Sequence, residues 1–268
     1  MAKTSAFSGD YVALDVPEVL ARIFYPRPEP AFLAAPVEAL DLKIPVASGV
    51  ALGARLHQAG QAAPTLLFFH GNGEIVADYD DLGVYYRNLG INFFPVDYRG
   101  YGRSTGVPTV TGMLRDSHAV LEFVRDRLKA AGHTGPLVVM GRSLGSAPAL
   151  ELASRRPEEI DGLIIESCFA YVGPLLQVLG VDLEKINFQE SAGFRNLDKI
   201  AGFPKPTLII HAEHDQIIPL SDGQALFAAC PATAKTLLVI PAAGHNDLML
   251  AGFHPYMAAI QKLLQLVA

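Results

Sequence analysis

The chain has 268 residues, of which half are hydrophobic and only 18% are charged. This composition excludes a disordered protein, and the length allows one or two domains. The formal net charge of −6 and the scattered Lys and Arg residues argue against a nucleic-acid-binding protein, because contact with phosphates requires a dense basic face.

Residues 1–36 contain Pro26, Pro28, Pro30 and Pro36, which predict an irregular lead-in covering one edge of a sheet. The first ten residues lack the apolar stretch of a secretory signal, and no run of eighteen apolar residues follows. We therefore expect a cytoplasmic protein with no integral membrane segment.

Short apolar runs then follow one another along the chain. Leu40, Leu42 and Ile44 alternate with polar residues and predict a half-exposed strand, with 50–57 as its antiparallel hairpin partner. Six further runs predict buried strands at residues 65–69, 91–96, 137–140, 163–165, 207–210 and 236–240. Runs that are apolar on both faces are typical of parallel strands between two layers of helices.

Helical patterns alternate with these strands. Leu114, Leu121, Val124 and Leu128 lie at helical spacing, and the stretch from Leu248 to the end also predicts a helix. Strand–helix alternation indicates an α/β fold with a mostly parallel central sheet and helices on both faces. We expect one domain over residues 1–268.

The connection between the strands at 163–165 and 207–210 is longer than a simple crossover. We interpret residues 168–200 as a small lid. Its apolar residues Phe169, Leu175, Leu176 and Leu179 either line a substrate pocket or simply seal the lid onto the core.

The sequence Gly141-Arg142-Ser143-Leu144-Gly145 matches the G-x-S-x-G motif, directly after a predicted strand and before a helical stretch. In that context the glycines allow a sharp turn that presents Ser143 as a nucleophile at the sheet edge. The alternative is an ordinary strand-to-helix turn with a capping serine.

A serine hydroxyl needs a base, and the base needs an orienting carboxylate. Asp215 and His245 follow two later predicted strands, in the order and at the sheet edge that this arrangement requires. Glu166 is the reserve acid, and Asp247 is a weaker one because it follows His245 by two residues.

Two backbone amides are needed to stabilise the oxyanion. We expect them from Leu144, after the nucleophile, and from Asn72 in the glycine-flanked loop that begins at His70, which we interpret as structural.

Residues 97–104 do not match the dinucleotide motif G-x-G-x-x-G. His211 and His214 lack a third ligand at suitable spacing, so we expect no metal site, and His254 should lie on the surface. Cys168 and Cys230 have no metal-ligand spacing and should be buried thiols.

Taken together, the motifs resemble those of the serine α/β-hydrolase superfamily. They are His70-Gly71-Asn72-Gly73, residues 97–102, residues 141–145 with Pro148, His214-Asp215 and residues 244–247. The likeness runs from about residue 40 to the end, and is strongest to the compact branch of depalmitoylase-like hydrolases and bacterial carboxylesterases. It implies carboxylesterase or acyl-thioesterase activity without a cofactor. The N-terminal residues lack the Cys cluster of the eukaryotic depalmitoylases, which speaks against membrane-bound acyl-proteins as substrates.

The sequence therefore predicts a serine hydrolase acting on a small-molecule ester or thioester through Ser143, Asp215 and His245. A serine peptidase or amidase shares these residues, with Glu74, Glu166 and Glu190 as potential anchors for an amino group. A catalytically silent binding module is the alternative from another class. The sequence gives no indication of the oligomeric state.

Overall fold

The computed structural model describes residues 11–30 and 35–268, and an eight-stranded sheet forms within them. In chain order the strands are β1 (Ala39–Ala47), β2 (Val50–His57), β3 (Thr65–Phe69), β4 (Asn92–Val96), β5 (Leu137–Arg142), β6 (Gly162–Glu166), β7 (Thr207–Ala212) and β8 (Lys235–Ile240). Their spatial order is β1-β2-β4-β3-β5-β6-β7-β8. β1 and β2 form the predicted antiparallel hairpin, β2 is antiparallel to β4, and the strands from β3 to β8 are parallel. The predicted α/β fold class is confirmed.

Helices cover both faces of the sheet. They are α1 (Pro17–Ile23), α2 (Asp80–Asn88), α3 (Val110–Ala130), α4 (Ser146–Arg155), α5 (Val172–Val178), α6 (Asn196–Ala201), α7 (Leu220–Ala229), α8 (Leu248–Ala251) and α9 (Phe253–Val267). α3, α4, α6 and α7 form the layer on one face, and α2 and α9 pack on the other. Among the described helices, none is both long and apolar enough to span a bilayer.

The parallel strands are apolar on both faces because each contributes to two separate cores. In β5, Val139 faces the core beneath α3 and α4, whereas Val138 and Met140 face the core beneath α2 and α9. In β3, Phe69 faces the core beneath α3 and α4, and Phe68 faces the core beneath α2 and α9. Side chains of successive strand residues point to opposite faces, so burial of both faces requires an unbroken apolar run. This geometry explains the five runs of β3 to β7. The prediction of a buried strand at 236–240 was wrong, because β8 lies at the edge of the sheet and only its Ile240 is buried.

The sequence predicted an irregular N-terminal lead-in, but the structure contains a helix, α1, within it. Pro17 occupies the first turn of α1, where its missing N–H costs no intrahelical hydrogen bond. Val19 and Ile23 are buried, and α1 packs against α5. The first ten residues, on which the expectation of no secretory signal rested, lie outside the described residues, as do residues 31–34.

The segment predicted as a lid contains α5, a short 3₁₀ turn at Glu190–Ala192 and most of α6. Its buried side chains, among them Val172, Leu176 and Phe194, belong to the same core as α3 and α4. α6 packs against α4 and α7 and is therefore part of the main helical layer. Cys168 and Cys230 are free and buried, as expected.

Candidate active site

Ser143 lies at a sharp turn between β5 and α4. Its φ angle is +50°, in the left-handed region that a non-glycine residue rarely occupies. The two glycines of the motif make this turn sterically feasible. A Cβ atom on Gly141 would collide with the backbone of Gly145, and one on Gly145 would collide with the backbone of Phe69 in β3. The serine therefore projects from the carboxyl edge of the sheet.

Asp215 and His245 come from the loops after β7 and β8, and the fold brings both to Ser143. The Nε2 atom of His245 lies 3.0 Å from the Oγ atom of Ser143, and its Nδ1 atom lies 2.7 Å from the Oδ2 atom of Asp215. The other carboxylate oxygen of Asp215 accepts hydrogen bonds from the backbone amides of Ile217 (3.0 Å) and Ile218 (2.8 Å). The three side chains form one hydrogen-bonded row.

Asp215 is held in its charged form. It is 8% exposed, and burial alone would raise the pKa of this carboxyl group. The hydrogen bond to His245 and those from the Ile217 and Ile218 amides outweigh burial, so the pKa of Asp215 is lowered from its usual value. A carboxylate that stays ionised can orient the imidazole and stabilise its protonated form.

The two reserve carboxylates contact other groups. Glu166 accepts a hydrogen bond from the Tyr256 hydroxyl (2.6 Å) and forms an ion pair with Arg142 (3.1 Å). Asp247 accepts a hydrogen bond from the backbone amide of Gly244 (2.7 Å). Asp215 is therefore the carboxylate that the structure brings to His245.

The remaining histidines stand apart from Ser143. His211 is fully buried with its Nε2 atom 2.9 Å from the carbonyl oxygen of Ile218, and burial lowers its pKa. His214 and His254 are exposed. Over residues 11–30 and 35–268, no cluster of His, Cys, Asp and Glu side chains has the arrangement of a metal site.

The loop after β3 runs along the other side of Ser143. Asn72 and Leu144 line the same cavity as the serine. The side-chain oxygen of Asn72 accepts hydrogen bonds from the Tyr25 amide and the Tyr101 hydroxyl, both at 2.7 Å, which fixes the loop. His70 is fully buried, with its Nδ1 atom 2.8 Å from the carbonyl oxygen of Gly71. This position is consistent with a structural role for His70.

A cavity of about 250 Å³ opens beside Ser143 and His245. Of the four lid residues predicted to line it, Phe169, Leu175 and Leu179 do so. Leu176 does not, because it is fully buried in the core. The sequence analysis missed part of the apolar wall: Ile23 of α1, Val172, Phe194 and Ile217.

Arg142, the residue before the serine, connects several of the loops around the site. It forms ion pairs with Glu74, after β3, and with Glu166, at the end of β6, and it donates a hydrogen bond to the carbonyl oxygen of His245 (3.2 Å). Glu74 in turn accepts a hydrogen bond from the Gly71 amide (2.6 Å). The loops that carry Asn72 and His245 are thus tied to one guanidinium.

Comparisons with known proteins bear on the family and the fold of the chain. The family model described as "Serine aminopeptidase, S33" matches residues 60–188. The α/β hydrolase domain-containing protein WAV2 of Arabidopsis thaliana is 30% identical over 217 residues, which cover 75% of this chain and 70% of that protein. The human α/β hydrolase domain-containing protein 17C is 32% identical over 211 residues. This alignment covers 76% of the chain but 58% of the human protein, so the chain spans less than two thirds of that relative's length.

Two solved structures share the fold at low sequence identity. The Pyrococcus furiosus esterase Pf2001 superposes with a TM-score of 0.72 at 18% identity, covering 89% of this chain and 98% of the esterase. A soluble variant of the monoglyceride lipase of Saccharomyces cerevisiae superposes with a TM-score of 0.66 at 20% identity, covering 89% and 97% of the two chains.

Proposed function

The chain belongs to the α/β-hydrolase superfamily, and on that premise we propose that it is a serine hydrolase that cleaves carboxylic esters or thioesters through an acyl-enzyme. The observation that carries this proposal is the hydrogen-bonded row of Ser143, His245 and Asp215, with contacts of 3.0 and 2.7 Å. A serine next to a histidine whose far nitrogen faces a charged carboxylate is equipped to act as a nucleophile.

In the acylation step, His245 accepts the Ser143 proton as the Oγ atom attacks the acyl carbonyl carbon. Asp215 accepts a hydrogen bond from the Nδ1–H group, which leaves Nε2 free to take the proton. His245 then donates that proton to the departing alcohol or thiol. A water molecule attacks the acyl-enzyme by the same route and releases the acid.

The negative charge of the tetrahedral intermediate forms next to two backbone segments. In this proposal the amides of Leu144 and Asn72 stabilise it, each donor contributing about 3 kcal/mol. The Asn72 side chain is already engaged with Tyr25 and Tyr101, which supports a role for the backbone N–H group of this residue.

The acyl group would occupy the apolar cavity beside Ser143. Its volume of about 250 Å³ is below the ~300–1,000 Å³ of pockets that hold drug-sized ligands. Its wall consists of aliphatic and aromatic side chains from α1, α5 and the segment that follows α5. Short-to-medium acyl chains fit this space better than long ones.

A peptidase or amidase is the second candidate, and the description of the matching family model favours it. Such an enzyme needs an acidic anchor for a free amino group. Glu190 is engaged elsewhere, because its carboxylate accepts hydrogen bonds from the Val172 and Gly173 amides (both 2.8 Å) at the start of α5. Aminoacyl p-nitroanilides test this alternative directly.

The first experiment measures hydrolysis of p-nitrophenyl esters from acetate to palmitate by the wild type and by Ser143→Ala. We expect an optimum at a short or medium chain and a fall in kcat of ~10³-fold or more in the variant. Ser221→Ala, at an exposed position of α7, is the matched control and should keep the wild-type rate.

Labelling with a fluorophosphonate probe provides a second readout. The probe should modify wild-type protein and fail to modify Ser143→Ala. A wild type that neither labels nor cleaves any ester or anilide would indicate a catalytically silent module, and an active Ser143→Ala variant would exclude this serine as the nucleophile.

A further inference from the structure

A second cavity of about 230 Å³ lies on the α2 and α9 side of the active site. It is lined by residues of the loop after β3, of α2, of the sheet and of the segment that follows His245. These residues are Phe68, Glu74, Asp78, Tyr79, Leu82, Tyr86, Phe93, Met140, Arg142, Glu166, Asn246, Leu248, Met249 and Tyr256. The proposed acyl-transfer mechanism makes no use of this cavity.

The two cavities adjoin, because Arg142 and Asn246 line both of them. Asn246 directly follows His245, whose Nε2 atom would deliver the proton to a leaving group. A substrate with its acyl chain in the first cavity has its scissile carbonyl at Ser143. Its leaving group then passes His245 and can extend along Asn246 toward the second cavity.

Carboxylates outnumber cations in the wall of the second cavity. Among the described residues of the wall, Glu74 and Glu166 share the guanidinium of Arg142, which also donates a hydrogen bond to the His245 carbonyl oxygen at 3.2 Å. This arrangement leaves an excess of one negative charge beside the cavity. An anionic ligand would be repelled, and a purely apolar chain would leave that charge without compensation.

A further carboxylate lies at the exposed rim. Asp78 lines the cavity and forms an ion pair with Arg27, which is not part of the wall. This ion pair is neutral as a whole, so the excess negative charge beside the cavity comes from Glu74 and Glu166.

Aromatic rings form much of the remaining wall, namely those of Phe68, Tyr79, Tyr86, Phe93 and Tyr256. Aromatic faces together with carboxylates are the surroundings that bind quaternary and other organic ammonium groups.

We propose that this second cavity is a leaving-group subsite that takes an organic cation, so that the preferred substrates are acyl esters or thioesters of an amino alcohol or amino thiol. This inference rests on the function proposed above. The Ser143 Oγ–acyl bond forms, the bond from the acyl carbon to the leaving oxygen or sulfur breaks, and His245 returns the serine proton to that atom. The ammonium group keeps its charge throughout.

The test compares a medium-chain acylcholine with the 3,3-dimethylbutyl ester of the same acid, which has the same shape and no charge. We expect the wild type to favour the cationic ester by about 10-fold in kcat/KM, within the range of a desolvated cation–aromatic contact. Equal kcat/KM values for the two esters would overturn the proposal.

Two neighbouring substitutions in α8 distinguish an effect of the cavity from an effect of the protein's net charge. Met249 is half-buried and lines the cavity, whereas Leu250 is 85% exposed and does not. Met249→Lys should abolish the preference, so that the two esters have about equal kcat/KM values, and Leu250→Lys should keep the wild-type preference. An equal loss of preference in both variants would attribute the effect to net charge and overturn the subsite.

A third arm identifies the side of the scissile bond on which the cation lies. An aminoacyl ester of a neutral alcohol carries its charge on the acyl part. Cleavage of this ester in preference to the acylcholine would overturn the assignment to the leaving group.

Binding of tetramethylammonium separates this proposal from the proposed function. Calorimetric titration should detect binding to the wild type and to Leu250→Lys, and none to Met249→Lys. If no ester is cleaved and the probe does not label Ser143, the acyl-transfer function fails, and the leaving-group role fails with it. A cation that then still binds establishes the cavity as a cation site, and absence of binding overturns it.

Discussion

The substitution Asp215→Asn tests the site most sharply, because the two oxygens of Asp215 have different partners. The Oδ1 atom accepts hydrogen bonds from the Ile217 and Ile218 amides, and the Oδ2 atom faces His245 Nδ1 at 2.7 Å. An asparagine must keep its carbonyl oxygen toward the two amides, since an NH₂ group donates and cannot accept. Its NH₂ group then faces Nδ1.

This orientation reverses the hydrogen bond to the histidine. An NH₂ donor at Nδ1 selects the imidazole tautomer that carries its proton on Nε2, the atom 3.0 Å from Ser143 Oγ. A protonated Nε2 atom cannot accept the serine proton. We therefore expect kcat to fall by ~10⁴-fold, as in other serine hydrolases with this change, which corresponds to about 5 kcal/mol of transition-state stabilisation.

The assay is steady-state hydrolysis of the best p-nitrophenyl ester, with KM and kcat measured separately. KM should change little, because Asp215 does not line the cavity beside Ser143. Glu166→Gln and Asp247→Asn are the matched controls for the two other carboxylates and should both be more active than Asp215→Asn. An Asp215→Asn variant that keeps most of its kcat would refute the reasoning from the fixed amide orientation.

Three further outcomes are expected. Burial disfavours the Glu151 carboxylate, but hydrogen bonding and the buried cation Lys199 at 2.9 Å outweigh it, and its pKa falls from 4.5 to about 2. Glu151→Gln should therefore lower the free energy of unfolding by ~3–5 kcal/mol. This difference from the wild type should be constant above pH 4.5 and should shrink as the pH falls toward 2. Urea titrations that show the same difference at every pH would contradict this. Leu175→Trp should shift the acyl-chain optimum to shorter p-nitrophenyl esters because Leu175 lines the cavity, whereas Val178→Trp, 61% exposed on the same helix, should not. Gly145→Ala should abolish fluorophosphonate labelling, because its new Cβ atom collides with the backbone of β3, and a fully labelled variant would argue against the tight turn.

Local patterns predicted the inner parallel strands because these strands bury both faces. A run such as residues 65–69 can be recognised without knowledge of its neighbours, and the structure places β3 at these residues. The N-terminal segment shows the opposite case. α1 is seven residues long and is stabilised by packing on the distant helix α5. Its buried residues Val19 and Ile23 are four apart, which is helical spacing, but one such pair is too short a pattern to predict a helix, so the sequence predicted irregular chain there.

The same distinction applies to the site. Ser143, Asp215 and His245 could be predicted together because each follows a parallel strand, and the ends of parallel strands meet at one edge. Their catalytic roles remain predictions. The position of Ile23 in the cavity wall and the ion pairs of Arg142 could not be predicted, since both depend on side chains brought together from separate parts of the chain.

The proposed catalytic residues and the cavity beside Ser143 come from different parts of this chain. The residues proposed for bond cleavage lie on loops at strand ends, and Arg142 connects the loop of His245 to Glu74 and Glu166. Most of the apolar wall comes from α1 and from the segment between β6 and α6. If the proposed function holds, substitutions in that wall change the acyl group that fits while the positions of Ser143, His245 and Asp215 stay the same. Such a division makes the protein a suitable starting point for directed evolution of new specificities, with Ile23 and Leu175 as the first positions to diversify.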